Sequence, residues 1–158
     1  MEAVAYTTCV PTDPGGSTMV EKILVAVDGS ETMERTVRFA CDLVKALGGS
    51  LTLIHVVSVP VTIQPSVPFD SAPLEHAGEM ILQIAQKQVE QNGRKADGIL
   101  EMDVGNSGHR IVAVAREKGF TLIVMHARGH SKVAALLLGS VCHTVAHDAP
   151  CSVLILRP

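Results

Sequence analysis

Lys22-Ile23-Leu24-Val25-Ala26-Val27-Asp28-Gly29-Ser30 decides the fold. Five apolar residues run from Ile23 to Val27 without the polar alternation of a half-exposed strand. A strand apolar on both sides is buried on both faces, which marks a parallel sheet covered by helices. Asp28-Gly29-Ser30 ends it. Ser30 is placed to cap a helix, with Glu31 in the first turn. Met33, Val37, Ala40, Val44 and Leu47 follow at helical spacing, and Gly48-Gly49 stops the helix.

The unit then repeats. Leu51 to Val57 reads as a second strand. Pro60, Pro65, Pro68 and Pro73 exclude regular structure from the loop after it. A helix is predicted from Leu74 to about Gln91, with Ala77, Ile81, Ile84 and Gln88 on one side, ended by Gly93. Ile99 to Val104 is a third strand. Gly105-Asn106-Ser107 follows, then a helix marked by Ile111, Val114 and Ala115 and closed by Gly119. Phe120 to Met125 is a fourth strand. An apolar stretch from Val133 to Leu138 precedes a helix from Val141 to His147. Pro150 breaks that helix before a fifth strand, Ser152 to Leu156. Alternating strands and helices specify an α/β domain, an open five-stranded parallel sheet with helices on both faces. Residues 1–20, with Thr, Pro, Gly and Ser, read as a flexible lead and residues 21–158 as one domain. Met19 is a second candidate start.

Composition narrows the function. Charged residues are 18% of the chain, net charge is -3, and no Lys/Arg run occurs, so nucleic acid is not an expected partner. No apolar stretch reaches the ~18–20 residues of a membrane span. Cys9, Cys41, Cys142 and Cys151 form no C-x-x-C pair, and reduced thiols fit a cytoplasmic protein.

In such sheets ligands bind beyond the carboxyl ends of the strands, where strand order reverses. With strands 2 and 3 on one side of strand 1 and strands 4 and 5 on the other, Asp28 faces Met125-His126-Ala127-Arg128-Gly129 across that crevice. Gly139-Ser140 precedes the last helix, whose free N–H groups and dipole favour an anion. Gly129 and Gly139-Ser140 therefore read in two ways: as a main-chain phosphate cradle, or as a strand terminator and a helix cap. Arg128 and Lys132 are either phosphate contacts or a solvated loop edge.

These residues carry a resemblance. Ile23-Leu-Val-Ala-Val-Asp28-Gly-Ser30, Leu53-Ile-His55-Val56-Val57, Gly105-x5-Ile111, Gly129-x9-Gly139-Ser140-Val141 and Ala149-Pro150-Cys151-Ser-Val153-Leu resemble the universal stress proteins of UspA type over about residues 20–158. The resemblance implies a Rossmann-like sheet of order 3-2-1-4-5 and, as in many members, ATP or AMP held through G-x2-G-x9-G-[ST], with Mg2+ as a companion ion. On that pattern Ala26, Val27 and Asp28 meet adenine and ribose, and the Val56 backbone meets the adenine edge. Met125 lines the pocket, and Gly129, Gly139, Ser140, Val141 and Cys142 surround the phosphates. It also implies a homodimer through the C-terminal strand. The function implied is a nucleotide-binding regulatory or sensor module of the stress response rather than a metabolic enzyme; a slow ATPase is a third, weaker reading, since no residue is evidently placed to activate water.

One position departs from the pattern: His126 stands where the first glycine belongs. Its ring either obstructs the ribose, turns away, or contacts a phosphate. The alternative function is a dimeric stress-interaction protein that binds no nucleotide and has no cofactor. Other chemistries lack their signatures. There is no G-x-x-x-x-G-K-[ST], no G-x-S-x-G elbow and no H-E-x-x-H. His126 and His130 are expected in a loop, His143 and His147 as solvated surface residues, and His55 as a satisfied strand-end residue.

Overall fold

The computed structural model describes residues 3–6, 20–59, 70–127 and 139–157. Element order is β1 (Ala3–Tyr6), β2 (Lys22–Ala26), α1 (Met33–Leu47), β3 (Ser50–Val59), α2 (Ala72–Gln91), β4 (Asp97–Val104), α3 (Ser107–Lys118), β5 (Leu122–His126), α4 (Ser140–Asp148) and β6 (Ser152–Leu156). The sheet runs β1-β6-β5-β2-β3-β4. Its five parallel strands, β2 to β6, take the expected order 3-2-1-4-5 when numbered from β2.

Pleating divides the core in two. Ile23 and Val25 of β2, with Leu122 and Val124 of β5, pack beneath α1 and α2. Leu24, Ile123 and Met125 point the other way and join Ile111, Val114, Cys142 and Val145 of α3 and α4. β5 is buried at every residue. Each such Val, Leu or Ile contributes about 1.5–3 kcal/mol relative to exposure, which fixes the register of the central strands.

The structure corrects several local expectations. Residues 1–20 were expected to be a flexible lead, yet Ala3–Tyr6 forms β1, antiparallel to β6 with Ala3 opposite Leu156 and Tyr6 opposite Val153. Ser30 does not cap α1. Thr32 occupies that place, and Ser30 instead donates its N–H to Asp28 Oδ1 at 3.0 Å. Pro73 lies inside the first turn of α2, where a missing N–H costs no intrahelical bond. The buried face of α2 is Gly78, Leu82, Ala85 and Val89, one residue on from the expected stripe, and Ile84 is 48% exposed. The segment Val133 to Leu138 lies outside the described residues.

Candidate functional site: a cavity at the reversal of strand order

The carboxyl ends of β2, β3 and β5 open onto a cavity of about 300 Å³, at the lower end of the range for small-molecule sites. β2 and β5 are neighbours there, and β3 and β6 lie outside them, so the cavity sits where strand order reverses.

β2 delivers Ala26, Val27 and Asp28 to the cavity wall. Val27 follows the last β2 residue but stays tied to β3. Its N–H donates to Ile54 O at 2.9 Å, and its carbonyl accepts from His55 Nδ1 at 2.7 Å. A carbonyl can only accept, so His55 carries its proton on Nδ1. The chain then turns through Asp28 and Gly29. Gly29 has φ +76°, a conformation that favours glycine, and a β-carbon there would stand 3.1 Å from Ile81 Cδ1, which would have to give by a few tenths of an ångström. Asp28 stands at the lip of this turn.

β3 adds Ile54, Val56 and Ser58, and α1 adds Met33 and Thr36. The Ser58 and Ser107 hydroxyls are 2.8 Å apart and join the end of β3 to the start of α3. Asn106 caps α3, its Oδ1 accepting from Gly108 N at 2.9 Å, while its Nδ2 donates to Thr144 Oγ1 in α4 at 2.7 Å. α3 and α4 pack closely because residue 108 is glycine. A β-carbon there would lie 2.8 Å from Thr144 Cβ and 3.0 Å from the Val141 carbonyl oxygen.

α4 contributes Val141 and Cys142. The Cys142 thiol donates to the His126 carbonyl at 3.0 Å. Burial, then the Asp28 carboxylate, pushes this thiol up to about 11, so it is a protonated donor at neutral pH. Gly139 is the N-cap of α4, and its N–H donates back to Ala127 O at 3.3 Å. This bond docks the start of α4 on the end of β5.

Eight residues expected at the site lie together on the cavity wall: Ala26, Val27, Asp28, Val56, Met125, His126, Val141 and Cys142. Gly139 and the exposed Ser140 stand beside the lining, at the start of α4. Arg128, Gly129 and His130 lie outside the described residues. Thr36, Ser58 and Ser107 line the cavity without having been singled out. The signal available for Ser107 was its place at a helix start after Asn106, and for Ser58 its place near the end of an apolar strand.

His126 is not a loop residue. It ends β5, paired with Leu156 of β6, in extended backbone open to any side chain. Val124 faces α1 and Met125 faces α3 and α4. Alternation therefore turns the His126 side chain to the α1 side, with Val124. His126 is 9% exposed and shares the wall with Met33 and Thr36.

Of the other histidines, His55 is satisfied as expected. His143 and His147 are exposed and stacked at 6.4 Å. Among the described residues no group of three or more His, Cys, Asp or Glu side chains is placed to hold a metal, and no helix is long and apolar enough to cross a membrane.

A cavity at the reversal of an open parallel sheet, walled by helix N-termini, defines a Rossmann-like α/β domain. The family model described as "Universal stress protein family" matches residues 19–157. Universal stress protein YxiE of Bacillus subtilis is 33% identical over 150 residues, covering 88% of this chain and 100% of that protein. A universal stress protein structure from Archaeoglobus fulgidus superposes with a TM-score of 0.68 at 26% identity, covering 85% of this chain and 97% of that one. A universal stress protein crystallised in complex with cAMP gives a TM-score of 0.65 at 26% identity, over 86% and 96% of the two chains. The chain belongs to the universal stress protein family.

Proposed function

We propose that this protein binds an adenine nucleotide in the cavity between β2 and β5 and acts as a regulatory or sensor module in a stress response. The observation that carries this reading is the convergence of Asp28, Val56, Met125, Val141 and Cys142, from four separate segments, on one wall. The base enters between the apolar side chains of Val56, Ile54, Met125 and Ile111. The ribose hydroxyls donate to the Asp28 carboxylate. The phosphates lie toward the start of α4, where Gly139 and Ser140 stand, with Mg2+ as a companion ion. The relative crystallised with cAMP supports this class of ligand.

Calorimetric titration with ATP, AMP and cyclic AMP tests the reading. Saturable heat together with a thermal shift is expected. No heat and no shift at millimolar nucleotide would sink it in favour of a stress-interaction protein that binds no nucleotide.

The role is regulatory rather than enzymatic, since the sequence carries no P-loop or nucleophile motif. Turnover of radiolabelled ATP above the uncatalysed rate would overturn that part. The reading places the protein in the cytoplasm, with reduced thiols, as a homodimer through β6. Its apolar Val153–Leu156 edge supports the dimer, subject to β1, which lies along that edge.

A further inference from the structure

We infer that β1 is a removable cover on the β6 edge, and that the occupant it excludes is the β6 strand of a second copy of this chain. The inference rests on the homodimer reading above. A strand has two rows of backbone N–H and C=O groups. The inner row of β6 is used by β5, from Leu122 opposite Ser152 to His126 opposite Leu156. The outer row is used by β1, from Ala3 opposite Leu156 to Tyr6 opposite Val153. One row takes one neighbour, so β1 and any other strand compete for it.

Two features point to a second copy as the competitor. β1 runs antiparallel to β6, which is also the direction a two-fold-related β6 takes, because an isologous interface presents the same patch from both sides. The strand itself, Ser152–Leu156, contains no charge and no proline. Uncovered, it lacks the devices by which sheet edges resist pairing.

β1 is suited to hold this edge and to release it. It is four residues long, and residues 7–21 connect it to β2. Tethering gives it a millimolar-range effective concentration, above that of a free second copy in dilute solution. A pairing of only four residues is also among the first contacts to open. Initiation at Met19, or proteolysis before it, removes β1 and leaves the family-matched residues 19–157 intact.

The test compares three proteins by size-exclusion chromatography with light scattering at roughly 50 μM, below the effective concentration of a tethered strand. They are the full chain, the chain starting at Met19, and the full-length Val4→Pro/Ala5→Pro variant, which cannot pair through β1. A monomeric full chain with doubled mass for the other two is the expected result. Dimers in all three would overturn the cover while leaving the homodimer reading standing. Monomers in all three would overturn both. The proline variant keeps the whole core and decides the matter should the shortened chain not fold.

Discussion

His55 Nδ1 lies 2.7 Å from the Val27 carbonyl oxygen and fastens the first turn of the cavity to the neighbouring strand. The bond is made one residue past the end of β2, beside the Val27 N–H bond to Ile54 O. His55→Ala removes the donor from a part-buried carbonyl, at a cost of about 1–3 kcal/mol. Urea denaturation is expected to show that loss. Calorimetry is expected to show weaker nucleotide binding, because Asp28 follows directly. Unchanged stability would mean that the turn holds itself.

Asp28→Ala removes the acceptor for Ser30 N–H together with the proposed partner of the ribose hydroxyls. Hydrogen bonds to a charged group contribute about 1.5–3 kcal/mol, so nucleotide affinity is expected to fall roughly 10- to 100-fold. A change below about threefold would place the ribose elsewhere.

His126→Gly tests the departure from the family pattern. The side chain faces α1 and the backbone is extended, so removing it is expected to lower stability by about 1–2 kcal/mol, through lost burial and glycine's entropy in a strand. Nucleotide affinity is expected to stay within about threefold. Tightening beyond about tenfold would show that the ring stands in the ligand's way, and loss of binding that it is a contact.

Two thiols predict an alkaline limit. Burial pushes Cys142 and Cys151 each from 9.0 up to about 11. The folded state thus favours the neutral thiol over the thiolate. This contribution is complete below pH 9 and is lost as pH rises toward 11. Guanidinium midpoints measured at pH 8 and pH 10.5 are expected to fall more for the wild type than for Cys142→Ala/Cys151→Ala. Equal falls would assign the alkaline loss to other groups.

The helix contact that frames the cavity predicts a steric effect. Gly108→Ala drives a β-carbon against Thr144 and the Val141 carbonyl. Overpacking of this kind costs about 1–3 kcal/mol. A lowered melting temperature with weakened nucleotide binding is expected, since Val141 lines the cavity. An unchanged melting temperature would show that α4 shifts freely.

The five parallel strands were legible because Ile23–Val27 and Leu122–Met125 are unbroken apolar runs between punctuating residues, a pattern that needs no tertiary information. The face of α2 was not. Gly78 looks like a gap in an apolar stripe, yet it is a point of closest approach to the sheet. A β-carbon there would lie 2.6 Å from Leu100 Cδ1 and 2.8 Å from Val57 Cγ2. β1 was illegible for another reason: four residues carry no periodicity to read, and their partners lie at the far end of the chain. At the site, Asp28 and Met125 followed from topology. Thr36, Ser58 and Ser107 did not, because small polar residues at element ends look like punctuation until the fold sets them side by side.

Asn106 engages two helices with the two ends of one amide: its oxygen caps α3 and its nitrogen reaches Thr144 in α4. No other side chain of that size offers an acceptor and a donor in one plane. Aspartate would keep the cap and force the Thr144 hydroxyl to reverse its role and donate, and serine is too short to span the gap. The angle between the two helices is therefore set when the chain folds rather than when a guest arrives. The chamber below them is cast in advance, and a ligand entering it spends little of its affinity on bringing the walls together.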